Sequence, residues 1–257
     1  MHNPLSETGR QIVLGTMMGD GYLFFSSDSR HAGLEVTHML DSEDYVLWKY
    51  KYLEPLCRRT PNYYSHERNG TLCHRVRFRT LTHSFFTRLH NYCYPDGKRA
   101  VSGKVLNSLN AVGLSTWWMD DGNLCVRKRP SGYPSRTIDL HIERYSYHDC
   151  DVIRRWFAEK FSITAKLVVH YFSYVQERPL LYLRFSVWDA YHVLRPYLAP
   201  VVEQIPSMRR KLDFQFSDGK NPGRRRINKP GQSAYQVVRA WMRKYPHLIE
   251  KYPHAMP

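Results

Sequence analysis

The chain has 257 residues, 42% of them hydrophobic, which excludes a disordered polymer and allows one large domain or two small ones, each with a core. Its 38 lysines and arginines against 23 acids leave a net charge of +15, a balance that favours an anionic partner, nucleic acid being the commonest large one. No run approaches roughly 18 unbroken apolar residues, "MHNPLSETGR" lacks an apolar leader, and five scattered cysteines without C-x-x-C spacing argue against a disulfide frame.

An intracellular protein in a reducing compartment, with no membrane partner, is therefore expected. Cys73 and His74 adjoin in "LCHRV", but no second pair accompanies them to complete a zinc ligand set.

The first element in the chain is "LGTMMGDGYL", Leu14 to Leu23. It reads as a helix ending at Asp20 and Gly21, where an acid is disfavoured because a helix C-terminus already carries partial negative charge. Strands are expected near 22–26 and 34–38, then a helix capped at Asp41 or Ser42 and running through "EDYVLWKYKYLEPL". A strand at "TLCHRVRFRT" and a helix at "HSFFTRLHNYCY" follow, and "PDGKRAVSGK", rich in turn residues and charge, reads as a linker.

Then the pattern recurs. "STWWMDDGNL" (Ser115 to Leu124) places Met119, Asp121, Gly122 and Leu124 where the first copy has Met18, Asp20, Gly21 and Leu23, an offset of 121 − 20 = 101 residues. Strands near 123–127 and 137–143, a helix through "HDCDVIRRWFAEKF", strands near 165–170 and 180–186, and a helix over "WDAYHVLRPYL" repeat the order. Each half is thus roughly αββαββα around a mostly antiparallel sheet, an α+β protein with two pseudo-symmetric repeats. The expected divisions are a first repeat over 1–94, a linker over 95–109, a second repeat over 110–213 and a basic extension over 214–257, with a terminal helix at "SAYQVVRAWMRKY".

Two helices that each end in Asp-Gly would bring two carboxylates together if they packed side by side, and Gly15 and Gly19 lie four apart on one face of the first. Close carboxylates at two dipole-negative ends repel, and a divalent cation resolves the repulsion. Mg²⁺ suits such a site, because it takes hard oxygen ligands from few carboxylates, phosphate and water.

"VLGTMMGDG" (Val13 to Gly21) and "LSTWWMDDG" (Leu114 to Gly122) resemble the signature helices of the LAGLIDADG homing endonucleases, in the single-chain form whose second copy commonly reads W-x-M-D-D-G. The resemblance runs from about residue 8 to about residue 213 and takes in "RPYL" (Arg195 to Leu198) and "PSMRRKL" (Pro206 to Leu212). It implies that Asp20 and Asp121 bind the catalytic metals, with the backbone carbonyls of Gly19 and Asp120 assisting. It further implies a basic residue in each half that polarises the water network, by position Lys98 and Lys211. The two sheets would form a DNA-binding saddle.

The implied protein is a monomeric, site-specific, double-strand DNA homing endonuclease. It would use two or more Mg²⁺ ions, with Mn²⁺ able to substitute, to hydrolyse phosphodiester bonds in a long asymmetric target. It would promote mobility of its own, intron-borne gene, in a bacterial or phage cytoplasm or an organelle matrix. The alternative is an RNA-binding intron maturase of the same fold, with intron RNA as partner. A non-cutting DNA-binding regulator is less consistent with two retained acids.

Strand alternation supplies the reading surface. In "CHRVRFRT" Arg75, Arg77 and Arg79 share one face, opposite Val76 and Phe78, and an arginine row can contact guanine edges and phosphates. In the second half "LYLRFS" offers Tyr182 and Arg184, and "TIDLHIE" shows Asp139 and His141 opposite Ile138 and Leu140, a less basic face that predicts an asymmetric target. Arg224, Arg225 and Arg226 would touch phosphate. Trp48, Trp117, Trp118 and Trp156 sit in expected helices and read as core.

Overall fold

The computed structural model describes residues 5–127, 135–213 and 231–257, so Arg224, Arg225 and Arg226 lie outside the described residues. Two compact units emerge from its contacts: residues 1–98, 102–120 and 197–212 form the first, and 99–101, 121–196 and 213–257 the second.

The first unit begins with α1 (Glu7–Met18), whose start is written locally: Ser6 caps it by accepting the Gly9 N–H at 3.1 Å, and Glu7 sits in the dipole-positive first turn. Ile12, Val13, Leu14, Met17 and Met18 are all buried, so α1 is a core helix rather than a surface one. It ends where Gly19 and Gly21 donate their N–H groups back to the carbonyls of Gly15 and Thr16. Four antiparallel strands follow, β1 (Tyr22–Phe25), β2 (Ala32–Met39), β3 (Asn62–Arg68) and β4 (Thr71–Arg79), in the spatial order β1-β2-β4-β3. The sheet is covered by α2 (Glu43–Leu53) and α3 (Ser84–Cys93).

Sequence alternation did not single out β3. "NYYSHER" has no buried residue, because it is an edge strand exposed along most of its length, so no apolar period marks it.

The span expected to be a linker holds a 3₁₀ turn at Pro95–Gly97, with Asp96 and Gly97 at positive φ, and α4 (Gly103–Ser108), which buries Val105 and Leu106. Next comes α5 (Ala111–Asp121), the second-motif helix. Through Asp120 it belongs to the first unit, so the units follow packing rather than the repeat boundaries. Two glycines explain the packing: a β-carbon at Gly15 would lie 2.1 Å from the Gly113 carbonyl oxygen, and one at Gly19 would lie 2.5 Å from the Asp120 Cβ. The backbones of α1 and α5 touch because those positions have no side chain. Gln11 stitches the helix starts, donating to the Ser108 carbonyl at 2.8 Å and accepting from the Asn110 N–H at 3.0 Å.

The second unit repeats the sheet: β5 (Gly122–Arg127), β6 (Ser135–His141), β7 (Lys166–Ser173) and β8 (Arg178–Phe185) pair antiparallel in the order β5-β6-β8-β7. Between β6 and β7 runs α6 (Tyr147–Phe161), capped by Ser146 and closed by Ser162 in the left-handed region at φ 53°. Beyond β8 the chain forms α7 (Val187–Asp189), a π turn at Ala190–Leu194 and, in the first unit from Tyr197 onward, α8 (Arg195–Val202). Pro196, with no N–H to give, stands two residues past the end of the π turn. A 3₁₀ segment at Pro206–Leu212 closes the first unit. The terminal helices α9 (Ala234–Met242) and α10 (Pro246–Lys251) belong to the second, where α9 packs on β7 and α6 and its Ala234 N–H donates to Asp151 at 2.9 Å. Trp117, Trp118 and Trp156 are core residues, as expected. No described helix is long and apolar enough to cross a membrane.

Candidate active site

Asp20 stands exposed just beyond the end of α1, at a cleft of about 360 Å³ that Tyr22, Glu35, Thr37, His38 and Arg75 also line. Beneath it lies a buried ionic cluster. Lys49 and Asp120 have fully inaccessible side chains and meet at 2.9 Å, and the Tyr45 hydroxyl donates to the same Asp120 oxygen at 2.8 Å. The other carboxylate oxygen of Asp120 accepts the backbone N–H of Asp20 at 3.2 Å. His38 Nε2 lies 3.5 Å from Asp120 and 3.4 Å from the Lys49 ammonium.

Three donors therefore occupy the buried Asp120 carboxylate, and exposed Asp20 lines the cleft. That arrangement fits a hard cation at Asp20, where an exposed carboxylate meets the negative end of a helix dipole. The carboxylate of Asp120 does not fit the same role, since ligation would strip donors from a buried anion.

Lys211 reaches the end of α5, donating its ammonium to the backbone carbonyls of Met119 and, at 3.0 Å, Asp120. Cations at a helix C-terminus satisfy its last carbonyls and complement the dipole. Its own carbonyl accepts the Trp118 indole N–H at 3.2 Å, which ties the 3₁₀ segment to α5. Lys98 is exposed beyond the 3₁₀ turn; its neighbour Arg99 turns inward, with its guanidinium 5.8 Å from the centre of the Tyr145 ring.

In the second unit Asp121 is buried, and Arg144 donates to its Oδ1 at 3.2 Å. Burial pushes the Tyr145 phenol up, against the opposing pull of Arg99 and Arg144, while Asp121 adds to the rise. The end of α5 in this unit is thus a charged cluster of one acid, two arginines and a buried tyrosine.

The sheet faces divide as strand alternation requires. On β4, Val76 and Phe78 are buried while Arg75, Arg77 and Arg79 point away from the core. Arg79 pairs with Glu35, Arg77 lies 4.0 Å from the same carboxylate, and Tyr64 stacks under Arg77. A second cleft of about 450 Å³ joins Arg77 and Arg79 to Arg58 and Arg59. On the second sheet Arg184 grips Asp139 with two hydrogen bonds, at 2.8 and 3.1 Å, and donates to the Tyr182 hydroxyl. Asp139 is 5% exposed, and both of its oxygens accept from Arg184. His141 pairs with Glu143, whose carboxyl burial pushes up but the bonds from His141 and His170 pull down further.

Against this geometry the comparisons with known proteins are decisive at the level of family. The model of the LAGLIDADG DNA endonuclease family matches residues 10–184, a span that contains both Asp-Gly helix ends, the first sheet and all but the last residue of the second. The chain belongs to that family.

Among curated relatives of this LAGLIDADG chain, "Protein RecA" of Mycolicibacterium chitae is 27% identical over 207 residues, covering 77% of this chain and 46% of the relative. "Probable intron-encoded DNA endonuclease 3" of Mycosarcoma maydis is 28% identical over 134 residues, 49% of this chain and 88% of the relative. The chain spans less than half the length of the RecA relatives it matches. Among solved structures, the homing endonuclease I-WcaI bound to its DNA recognition sequence superposes with a TM-score of 0.70 at 19% identity, covering 84% of this chain and 90% of that one. The meganuclease I-SmaMI on uncleavable DNA gives 0.50 at 9% identity, covering 98% and 96%. At such identities the likeness establishes the fold.

Several residues of these clusters lie outside the two motifs. Lys49 carried a signal in the sequence: with Tyr45 and Leu53 it falls on the i, i+4, i+8 face of α2, a core-facing register where a lysine needs a buried partner. His38, Arg58, Arg59, Arg99 and Arg144 carried none, since basic residues are common in a chain of this charge.

His38 gives the site a measurable pH signature. Burial, reinforced by Lys49 and opposed by Asp120 and Asp20, pushes its imidazole down to about 4, against 6.5 when unfolded. The unfolded chain takes up this proton first, so stability is fully present above about 6.5 and falls as pH drops toward 4. The full difference is about 3 kcal/mol. Urea unfolding in EDTA between pH 7.5 and 4.5 should show this loss, and His38→Gln should flatten that part of the profile. Equal slopes for the two proteins would refute the assignment.

Proposed function

We propose that this chain is a divalent-metal-dependent, site-specific endonuclease that cuts both strands of a long asymmetric DNA duplex as a monomer. The observation that carries the reading is Asp20: an exposed carboxylate at a helix end, clamped through its backbone by buried Asp120, beside a cleft shared with Arg75. Its counterpart Asp121 stands at the corresponding end of α5. I-WcaI, named as bound to a DNA recognition sequence, and the M. maydis relative, named an intron-encoded DNA endonuclease, support DNA as the partner.

Asp20 and Asp121 would each offer a carboxylate to Mg²⁺, or to Mn²⁺ in its place. When bound, the metal lowers the pKa of the attacking water and neutralises charge on the scissile phosphate. Asp120 serves as the anchor that orients Asp20 rather than as a side-chain ligand. Lys211 holds a positive charge at the C-terminal carbonyls of α5, and Arg144 does the same for Asp121 in its own unit. The outward arginines of β4 bind phosphates and guanine edges, whereas the Arg184–Asp139 pair leaves the second sheet less basic, which suits an asymmetric target. The biological role that follows is mobility of the chain's own, intron-borne gene. Five free thiols agree with a reducing compartment such as bacterial cytoplasm or an organelle matrix.

The test offers the purified protein a randomised duplex library with Mg²⁺. A discrete enriched product is expected, and Asp20→Asn and Asp121→Asn should each slow its formation by at least about a hundredfold. No enriched product, or cutting by both variants at the wild-type rate, overturns the reading. Tight binding of a structured intron RNA without cleavage would replace it with the maturase function.

A further inference from the structure

A second cluster of ligand-type side chains lies in the second unit, beginning at His141, one residue beyond the Gly122–Leu140 strand pair that adjoins Asp121. His141 Nδ1 is 2.6 Å and His170 Nδ1 is 3.0 Å from the same Glu143 oxygen, and the three atoms all lie within 4.8 Å of one another. Two imidazole nitrogens and one carboxylate oxygen form a donor set suited to zinc, with a fourth tetrahedral position left to water. Tetrahedral zinc with bonds of about 2.1 Å holds its ligands about 3.4 Å apart. The observed spacing needs only small side-chain shifts to reach that.

The backbone presents these groups deliberately. His170 sits at the irregularity in the β7–β8 pairing, between Val169 and Tyr171, where the register shifts. A bulge of this kind re-aims one side chain and costs a ladder contact, and such features concentrate beside functional sites. Glu143 is fixed through its backbone, whose carbonyl accepts from Arg178 Nη2 at 3.0 Å, while Arg178 also bonds the Tyr145 carbonyl. The Tyr182 ring lies edge-on to His170 at 5.5 Å and tilted against His141 at 6.1 Å, so both imidazoles lean on one support. A hydrogen-bonded pair needs one histidine; here two converge on a single oxygen, and a positive charge at their focus answers both lone pairs and the carboxylate.

We propose that His141, Glu143 and His170 form a binding site for a zinc-class divalent cation on the outward face of the second sheet, with donors of its own that include neither Asp20 nor Asp121. Binding replaces the protons shared between the imidazoles and Glu143. The cation adds positive charge to a face whose own Arg184 is neutralised by Asp139.

The test titrates tag-free, full-length protein with Zn²⁺ in excess Mg²⁺, which occupies hard oxygen sites and leaves imidazole sites open. One Zn²⁺ equivalent should bind. His141→Ala and His170→Ala should each weaken it by at least about tenfold, while Asp20→Asn should leave it unchanged. With Co²⁺ as the probe, a visible tetrahedral d–d absorption without a thiolate charge-transfer band is expected. Zn²⁺ should also raise the melting temperature of the wild type and not that of His170→Ala, whose exposed position leaves the fold intact. Zinc affinity equal in wild type and both histidine variants, a thiolate band, or loss of the site in Asp20→Asn would overturn the proposal.

Discussion

Replacing Asp120 with alanine is expected to destabilise the protein by about 3–5 kcal/mol, because it strands a buried ammonium. Among the described residues, Lys49 Nζ would keep His38 Nε2 at 3.4 Å and the face of Tyr45, whose centre is 4.2 Å away. The Tyr45 hydroxyl would retain the Thr116 carbonyl at 3.0 Å, so its own loss is small. Against a usual total of about 5–15 kcal/mol, this is enough to unfold much of the protein at working temperature. Urea midpoints measure it, and a loss under about 1 kcal/mol would show that water reaches Lys49. The double variant Lys49→Met/Asp120→Leu should recover most of the stability, since removing both charges removes the uncompensated one. It should still cleave slowly, because the carboxylate that accepts the Asp20 N–H is then gone. Recovery of stability without recovery of rate separates the anchoring role of Asp120 from its part in the fold.

Gly15→Ala should be the second severe change. The added carbon would fall 2.1 Å from the Gly113 carbonyl oxygen and 2.7 Å from the Thr116 Cβ, and the backbone side of that contact cannot rotate away. Alanine gains about 1 kcal/mol over glycine in a helix interior, but overpacking against a rigid neighbour costs about 3 kcal/mol or more. A net loss of about 2 kcal/mol follows from these two figures. Gly103→Ala, where a β-carbon meets nothing within 4 Å, supplies the control and should be neutral or slightly stabilising. Thermal melts of the two variants side by side test the idea, and equal midpoints would sink it. Because α5 carries the second Asp-Gly end, a forced separation of α1 from α5 should also lower cleavage more than the stability loss explains.

The duplicated Asp-Gly helix ends, the strand alternation that buries Val76 and Phe78 and turns three arginines outward, and the small residues Gly15 and Gly19 were all legible in the sequence. Each rests on chemistry local to a few residues: the period of a strand, the dipole of a helix, the missing β-carbon of a glycine. Strand β3 was not legible, since an exposed edge strand has no apolar rhythm to display.

Tertiary structure alone decided the rest. That the carboxylate of Asp120 is anchored by Lys49 and Tyr45, while its neighbour Asp121 meets Arg144, depends on which way two adjacent side chains leave the end of α5. A one-residue step there rotates a side chain by about 100°, so adjacent acids serve different partners. His141, Glu143 and His170 likewise meet only because β8 lies between β6 and β7 and a bulge turns His170 toward them. Sequence spacing determines what a residue can do within one element; pairing of distant strands and burial of charge determine which of those capacities become a site.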